Sequence, residues 1–199
     1  MEYVKIAGTD ITEHGQRNKV VIATKVGLDW TSGKVYRNTT RDRIMKEVED
    51  SLKRLRTDYI DIYQVHWPDS DAPVEETASA MEELYRSGKI RAIGVSNYST
   101  GQMDEFRRKA PLHVSQPPYN LFERAIEDDV LPYCQSNGIT MLFYGAICRG
   151  LLSGRMRSDT KFEGDDIRKA DPKFKEPRFG QYLEAVGKLH EYARGKYDK

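Results

Sequence analysis

The sequence predicts an α/β protein built as a parallel β/α barrel. Three observations lead there. From residue 19 to about 145, apolar runs of strand length alternate with amphipathic runs of helical length. Five of the apolar runs end in a polar or reactive residue. Stop and turn residues then close the runs, such as Trp67-Pro68-Asp69 after the second and Asn137-Gly138 before the fifth. Polar groups at the C-terminal ends of successive buried strands are how a parallel β/α barrel assembles an active site.

The elements follow in order. Val20-Val-Ile-Ala-Thr-Lys25 reads as a strand ending in a lysine, followed by a Gly-containing loop. Thr40 then suits a helix N-cap, with Ile44, Val48, Leu52 and Leu55 at helical spacing. Tyr59-Ile-Asp-Ile-Tyr-Gln-Val-His66 is a strand ending in a histidine. Pro73 and Glu75-Glu76 open the next helix. Ala78, Met81, Leu84 and Tyr85 form its apolar face, and Gly88 suits the cap after it. Ile90-Arg-Ala-Ile-Gly-Val-Ser-Asn97 ends in Ser-Asn and leads to a short helix near 100–109 with Met103 and Phe106 inward. Leu112-His-Val-Ser-Gln116 ends in a glutamine, with a helix near 125–136 after it. Ile139-Thr-Met-Leu-Phe-Tyr144 ends in a tyrosine. Repeated units of this kind imply a parallel sheet with right-handed crossovers.

Beyond Tyr144 the alternation stops. Gly145-Ala-Ile-Cys-Arg-Gly-Leu-Leu-Ser-Gly-Arg155 is a Gly-bearing loop suited to close backbone approach to a ligand. Residues 156–178 are charged, contain Pro172 and Pro177, and read as a mobile loop. Residues 179–195 read as a last amphipathic helix with Tyr182, Leu183, Val186, Leu189 and Tyr192 inward. There is no internal repeat.

Bulk composition narrows the function. A chain of 199 residues fits one domain with a real core. With 32 basic against 31 acidic residues and no basic stripe, nucleic acid is not an expected partner. Cys134 and Cys148 lack metal-ligand spacing and read as thiols of a reducing compartment. No metal site is expected. No signal-like segment or membrane-spanning apolar run is visible, so a cytoplasmic protein without membrane contact is expected. Oligomeric state has no signal. Without its tyrosines and with its glycines the apolar share is roughly 40%, below the usual 45–50%, as if buried strands were missing.

Taken together, Ile22-Ala-Thr-Lys25, Val65-His66-Trp67-Pro68, Gly94-Val-Ser-Asn97, Gln116-Pro-Pro-Tyr-Asn120 and Gly150-Leu-Leu-Ser-Gly154 resemble the aldo-keto reductase superfamily, in order and spacing, over residues 19 to about 155. The resemblance implies an eight-stranded TIM (β/α)8 barrel and a nicotinamide cofactor, NADPH, held without a Rossmann domain. It implies hydride transfer to an aldehyde or ketone, a small-molecule carbonyl substrate. A tyrosine gives the proton, with its pKa lowered by a lysine that an aspartate pairs. Lys25 matches that lysine, and His66 matches the histidine that orients the carbonyl, with Trp67 beside it at the substrate. Ser96, Asn97 and Gln116 match the groups holding the carboxamide, and Tyr144 the aromatic stacked on the ring. Gly145, Ala146, Ile147, Cys148, Arg149, Gly150 and Arg155 match the loop around the pyrophosphate.

Each residue alone has a plainer reading. A strand-end histidine is more often structural, a strand-end lysine is often only a charge, Ser96-Asn97 reads as a helix cap and Tyr144 as core. Joint placement on one barrel face favours the functional reading. Asp69 reads as a loop cap, Cys148 as a packed thiol, and Arg149 and Arg155 equally as phosphate contacts or solvated cations.

The sequence departs from the family in one respect. The family's aspartate and tyrosine lie in an Asp-x-x-x-x-Tyr-Gly run upstream of the lysine. The only Tyr-Gly here is Tyr144-Gly145, with Ile139 five residues before the tyrosine. Met1–Ile11 resembles the first half of the family's N-terminal hairpin and Thr12–Val20 the segment before the lysine strand, joined directly. About five of eight strands are represented, and such barrels run to about 250 residues. Residues 1–199 are therefore expected to be a single partial β/α barrel domain of a longer protein. A cofactor-binding regulatory protein on the same fold, like the β-subunits of potassium channels, and an inactive barrel fragment remain the alternatives.

Overall fold

The structure is a computed structural model and describes residues 15–31 and 33–197. The hairpin expected over Met1–Ile11 and its junction at Ile11–Thr12 lie outside the described residues. Two compact units are present. One runs to Pro117 and takes in Ala125–Tyr144; the other comprises Pro118–Arg124 and Gly145–Lys199.

The first unit is an α/β layer. Its strands are β1 (Ala23–Val26), β2 (Leu28–Thr31), β3 (Lys34–Arg37), β4 (Ile60–Val65), β5 (Ile90–Ser96), β6 (Val114–Gln116) and β7 (Thr140–Met141). Its helices are α1 (Arg41–Leu55), α2 (Val74–Arg86), α3 (Thr100–Arg107) and α4 (Val130–Ser136). β1, β4, β5, β6 and β7 form one sheet in that order, every pair parallel. Among the described residues this sheet is open, with β1 and β7 at its edges.

Register sets which groups share a face. Lys25 pairs with Gln64, Gln64 with Gly94, Gly94 with Val114, and Val114 with Thr140. In-register residues of parallel strands point to the same side, and neighbours along a strand to opposite sides. Tyr63, Val65, Ile93 and Val95 therefore take the other face, where all four are fully buried. The charges of Glu47, Arg43, Arg54 and Asp50 act on the Tyr63 hydroxyl, so that face is the one α1 covers. Burial, the largest influence, drives the Tyr63 pKa far up.

The helices form where apolar spacing demands. Ile44, Val48, Leu52 and Leu55 are buried along α1, and Arg56 closes it in a left-handed conformation at φ 52°. Thr40 stands at the N-cap of α1 but makes no side-chain cap bond. Ala78, Met81 and Leu84 are buried on α2. Tyr85, expected with them, is instead exposed and stacks against His113 with centroids 5.1 Å apart. α3 begins with a full capping box, in which the Ser99 hydroxyl accepts from the Gln102 amide and the Gln102 side chain accepts from the Ser99 amide.

Other expectations need correction. The loop after Lys25 is an antiparallel hairpin, β2 with β3, pairing Trp30 with Val35 and Asp29 with Tyr36. Arg43 of α1 anchors it through Asp29 at 2.9 Å and the Leu28 carbonyl at 3.0 Å. The helix near 125–136 breaks into a 3-10 turn, Ala125–Glu127, and α4, with the Asp129 side chain capping the latter. The fifth strand stops at Met141, so Tyr144 lies beyond it.

The second unit is mostly irregular. It has 3-10 turns at Cys148–Ser153, Ile167–Lys169 and Pro172–Phe174, then α5 (Arg178–Tyr197). The span expected as a mobile loop thus carries two of these turns, and Asp166 and Asp171 cap them by accepting from Arg168 and Lys173 amides. Cys148, Leu151, Phe174 and Phe179 form its core, with Phe162 packed edge-on against Phe174. Along α5, Phe179 and Val186 are buried. Leu189 and Tyr192, expected inward, are exposed.

Candidate active site

The strand-end residues of the first unit gather along one end of the sheet. Lys25 is in the last turn of pleat of β1; His66 directly follows β4; Ser96 ends β5; Gln116 ends β6. The peptide of His66 is held from both sides. Its N–H donates to the Val26 carbonyl at 2.9 Å, and its carbonyl accepts from Asn97 Nδ2 at 3.0 Å.

Asn97 organises the centre. It sits at φ 63°, a left-handed conformation that asparagine tolerates better than most residues. Its Nδ2 also donates to Ser96 Oγ at 3.0 Å, and its Oδ1 accepts from the Tyr144 hydroxyl at 2.8 Å. Ser96 Oγ in turn donates to the Gln116 carbonyl at 2.7 Å. A continuous chain Tyr144–Asn97–Ser96–Gln116 therefore joins the ends of β5 and β6 to a residue beyond β7. Tyr144 keeps 38% of its surface exposed, so it is an anchored surface residue and not a core residue. The Gln116 side-chain amide has no hydrogen bond among the described residues and is free for a ligand.

Electrostatics distinguish the other two groups. Burial holds the Lys25 pKa below its ordinary value. Burial also lowers the His66 pKa, and the nearby Lys25 charge adds to this. His66 is thus biased toward the neutral imidazole, beside an ammonium that has no carboxylate partner among the described residues. Trp67 is fixed from above by Arg37, whose guanidinium lies 5.2 Å from the ring centroid and donates to the Pro68 carbonyl. Asp69 does cap a loop, accepting from the Thr39 and Asp71 amides.

Gly145, Ala146, Ile147, Cys148, Arg149, Gly150 and Arg155 belong to the second unit. Cys148, Arg149 and Gly150 are all left-handed, at φ 48°, 53° and 91°. The Cys148 thiol is buried in the apolar core, so only its backbone can meet a ligand. Burial raises its pKa, with the Glu123 charge adding to the effect. Arg149 is paired with Asp171 at 2.8 Å, while Ile147 and Arg155 are exposed. Nearby, Asn120 Nδ2 donates to the Gly145 carbonyl, and Lys173 bridges Glu123 at 2.9 Å and Asp171 at 3.2 Å.

Sequence reasoning passed over Gln64 and Asn120. Gln64 is fully buried on the same sheet face as Lys25, and Asn120 is buried with its side chain fully engaged. The signal for Gln64 was present, since a polar residue interrupts an otherwise apolar inward position of β4.

A parallel β/α sheet with polar groups collected at its strand ends defines the chain as an α/β protein of the barrel class. It belongs to the aldo/keto reductase family, whose sequence profile matches residues 2–198. It is 58% identical over 195 residues to the aldo-keto reductase YhdN of Bacillus subtilis, covering 98% of this chain and 59% of that protein. It is 36% identical to the NADH-specific methylglyoxal reductase of Escherichia coli, covering 72% of this chain and 48% of the relative. Among solved structures, the glycerol dehydrogenase AKR11B4 of Gluconobacter oxydans superposes with a TM-score of 0.89 at 48% identity, over 98% of this chain and 60% of that one. The fold class is accordingly the TIM barrel, five strands of which are described here. The chain spans roughly half to three-fifths of the length of these relatives. No described helix is long and apolar enough to cross a membrane.

Proposed function

We propose that residues 1–199 are one partial β/α barrel domain of a cytoplasmic, NADPH-dependent aldo-keto reductase that reduces a small aldehyde or ketone to an alcohol. The observation that supports this best is the joined set Tyr144–Asn97–Ser96–Gln116 beside His66, whose pKa is lowered, and a Lys25 with no carboxylate partner among the described residues.

These residues fit a nicotinamide. The free Gln116 amide, linked through Ser96 and Asn97 to an exposed, anchored aromatic ring, suits a flat ring bearing a carboxamide. The bound nicotinamide would supply the hydride. Asn97, Ser96 and Gln116 hold the carboxamide and Tyr144 covers one ring face. His66, biased toward its neutral form, presents an N–H to the carbonyl oxygen. Lys25 lowers the pKa of the proton donor, because a partly desolvated cation favours the ionised form of a neighbour. The donor itself has no match in this chain: Tyr98 is buried edge-on against Phe106 with its pKa raised chiefly by burial. In the second unit, the loop from Gly145 to Arg155 would meet the pyrophosphate through its backbone and Arg149 or Arg155.

Coenzyme choice is part of the test, since one relative is named as NADH-specific. Fluorescence titration of the full chain with NADPH and NADH should show saturable binding, tighter for NADPH. Tyr144→Ala and Gln116→Ala should each weaken it about tenfold, the equivalent of one good contact. No saturable binding of either coenzyme would end the proposal. Tight binding without turnover of any simple aldehyde or α-dicarbonyl would instead favour the regulatory reading.

A further inference from the structure

The loop from Gly145 to Arg155 is tied into a circuit of polar contacts that lies wholly inside the second unit. The Gly145 carbonyl accepts from Asn120 Nδ2 at 3.0 Å, and the same Nδ2 donates to Glu123 Oε2. Glu123 Oε1 accepts from the Lys173 ammonium at 2.9 Å. Lys173 lies 3.2 Å from Asp171 Oδ2, and that oxygen also accepts from Arg149 at 2.8 Å. The circuit leaves the loop at residue 145 and returns to it at residue 149.

Its last link is the one built to open. The Asp171 side chain is 7% exposed, that of Arg149 46%. Breaking a buried ion pair is costly when it leaves a bare charge behind. Asp171 would not be left bare. Its Oδ1 accepts from the Lys173 amide at 3.0 Å, capping the Pro172–Phe174 turn, and its Oδ2 faces the Lys173 ammonium. The backbone at Arg149 need not move either. The Gly150 and Leu152 amides donate to the Ile147 carbonyl at 3.0 and 3.1 Å and close a turn around it. Only the arginine side chain, already half in solvent, has to rotate. Arg155 differs, because it is exposed and its side chain has no ion pair among the described residues.

We infer that Asp171 is a positioning residue that stands in for phosphate, holding the Arg149 guanidinium at the loop until the diphosphate of a dinucleotide takes its place. Carboxylate and phosphate meet the same planar fork of N–H donors, so the exchange is like for like. The diphosphate wins the arginine because it carries more charge and meets Arg155 as well. Asp171 thus keeps Arg149 in place and weakens anion binding by the strength of the pair it gives up. The inference rests on the reading of this loop as the pyrophosphate site, but its test needs neither nicotinamide nor carbonyl substrate.

The test is calorimetric titration of the full chain with inorganic pyrophosphate. Asp171→Asn keeps an oxygen to cap the turn and removes the competing charge. It should tighten pyrophosphate binding about fivefold, the upper end for a partly exposed ion pair. Arg149→Met should weaken binding about tenfold, the equivalent of one charge-assisted contact. In the Arg149→Met background, Asp171→Asn should change nothing further. A merely structural Asp171 would give weaker binding in Asp171→Asn, and that result would overturn the inference. Equal tightening with and without Arg149 would overturn it too, as would no saturable pyrophosphate binding to the wild-type chain. If Asp171→Asn does not fold, the wild-type chain decides: the Arg149 Nε signal in nitrogen-15 NMR should shift on saturation with pyrophosphate, and an unmoved signal sinks the exchange. The expected pyrophosphate pattern without saturable binding of NADPH or NADH would count against the proposed function and leave the exchange standing.

Discussion

The two units hold themselves together in different ways. The first is a sheet with helices on one face, and its centre is aliphatic: Ile93 and Val95 are fully buried between β5 and the helices. The second has one long helix and short turns around a cluster of phenylalanines, with charges drawn in beside it. Lys173 ties Glu123 to Asp171, and Arg149 shares Asp171. Periodic sequence can build the first kind of core. The second depends on particular side chains meeting across irregular backbone, so it should be more sensitive to pH and to single polar changes.

The largest effects probe the cores. Ile93→Ala should cost about 2–5 kcal/mol, by lost burial plus a cavity. Phe174→Ala should cost somewhat less, about 2–4 kcal/mol, since Phe174 keeps 8% of its surface exposed. Denaturant unfolding followed by far-UV circular dichroism reads the first, and hydrogen exchange over residues 145–197 reads the second. Equal loss of protection in both units from either change would erase the distinction.

Glu123→Gln sharpens it. Loss of the charge that Lys173 faces should cost about 1–2 kcal/mol. The same network gives a pH dependence of known sign. Burial, the largest influence on Glu123 and Asp171, works against their ionisation. Hydrogen bonds from Lys173 and Asn120 to Glu123, and from Lys173 to Asp171, together outweigh it and hold both pKa values below normal. Their contribution is full above the ordinary carboxylate range and is lost as pH falls through the lowered values. Exchange protection of the second unit should therefore fall on acidification below about pH 4, and Glu123→Gln should flatten that fall.

Smaller effects belong to the sheet end. Tyr144→Phe removes the bond to Asn97 and should cost about 0.5–1.5 kcal/mol. Lys25→Met should have the opposite sign. Burial holds the folded-state Lys25 pKa down, so the buried ammonium opposes folding at pH values below that lowered pKa. A raised melting temperature for Lys25→Met is expected; a lowered one would mean that the cation is satisfied.

The sheet was legible in the sequence because its strands alternate with helices and carry their polar groups at fixed ends. Lys25, His66, Ser96, Asn97 and Gln116 could be placed from those ends alone. Tyr144 was read as ending a strand, but the ladder stops at Met141, which no local propensity announces. The β2–β3 hairpin was missed although Ser32-Gly33 between Leu-Asp-Trp-Thr and Lys-Val-Tyr-Arg is a hairpin signal. The second unit was least legible. Its Lys173–Glu123 pair joins residues 50 apart, and its phenylalanines follow no period. Leu189 and Tyr192 show the converse limit, since a helical period marks a face but not whether anything covers it.

The register of the five strands has a consequence for how such a protein can change. Lys25, Gln64, Gly94, Val114 and Thr140 stand at one height because their strands are aligned residue for residue. Inserting or deleting one residue inside any of these strands would turn its following side chains to the opposite face. Evolution of the strands is thus confined to replacing one side chain at a time, whereas the connections beyond them can lengthen or shorten. Two descendants of this chain could diverge widely in what they recognise and still be superimposed, strand upon strand, at the level where the chemistry happens.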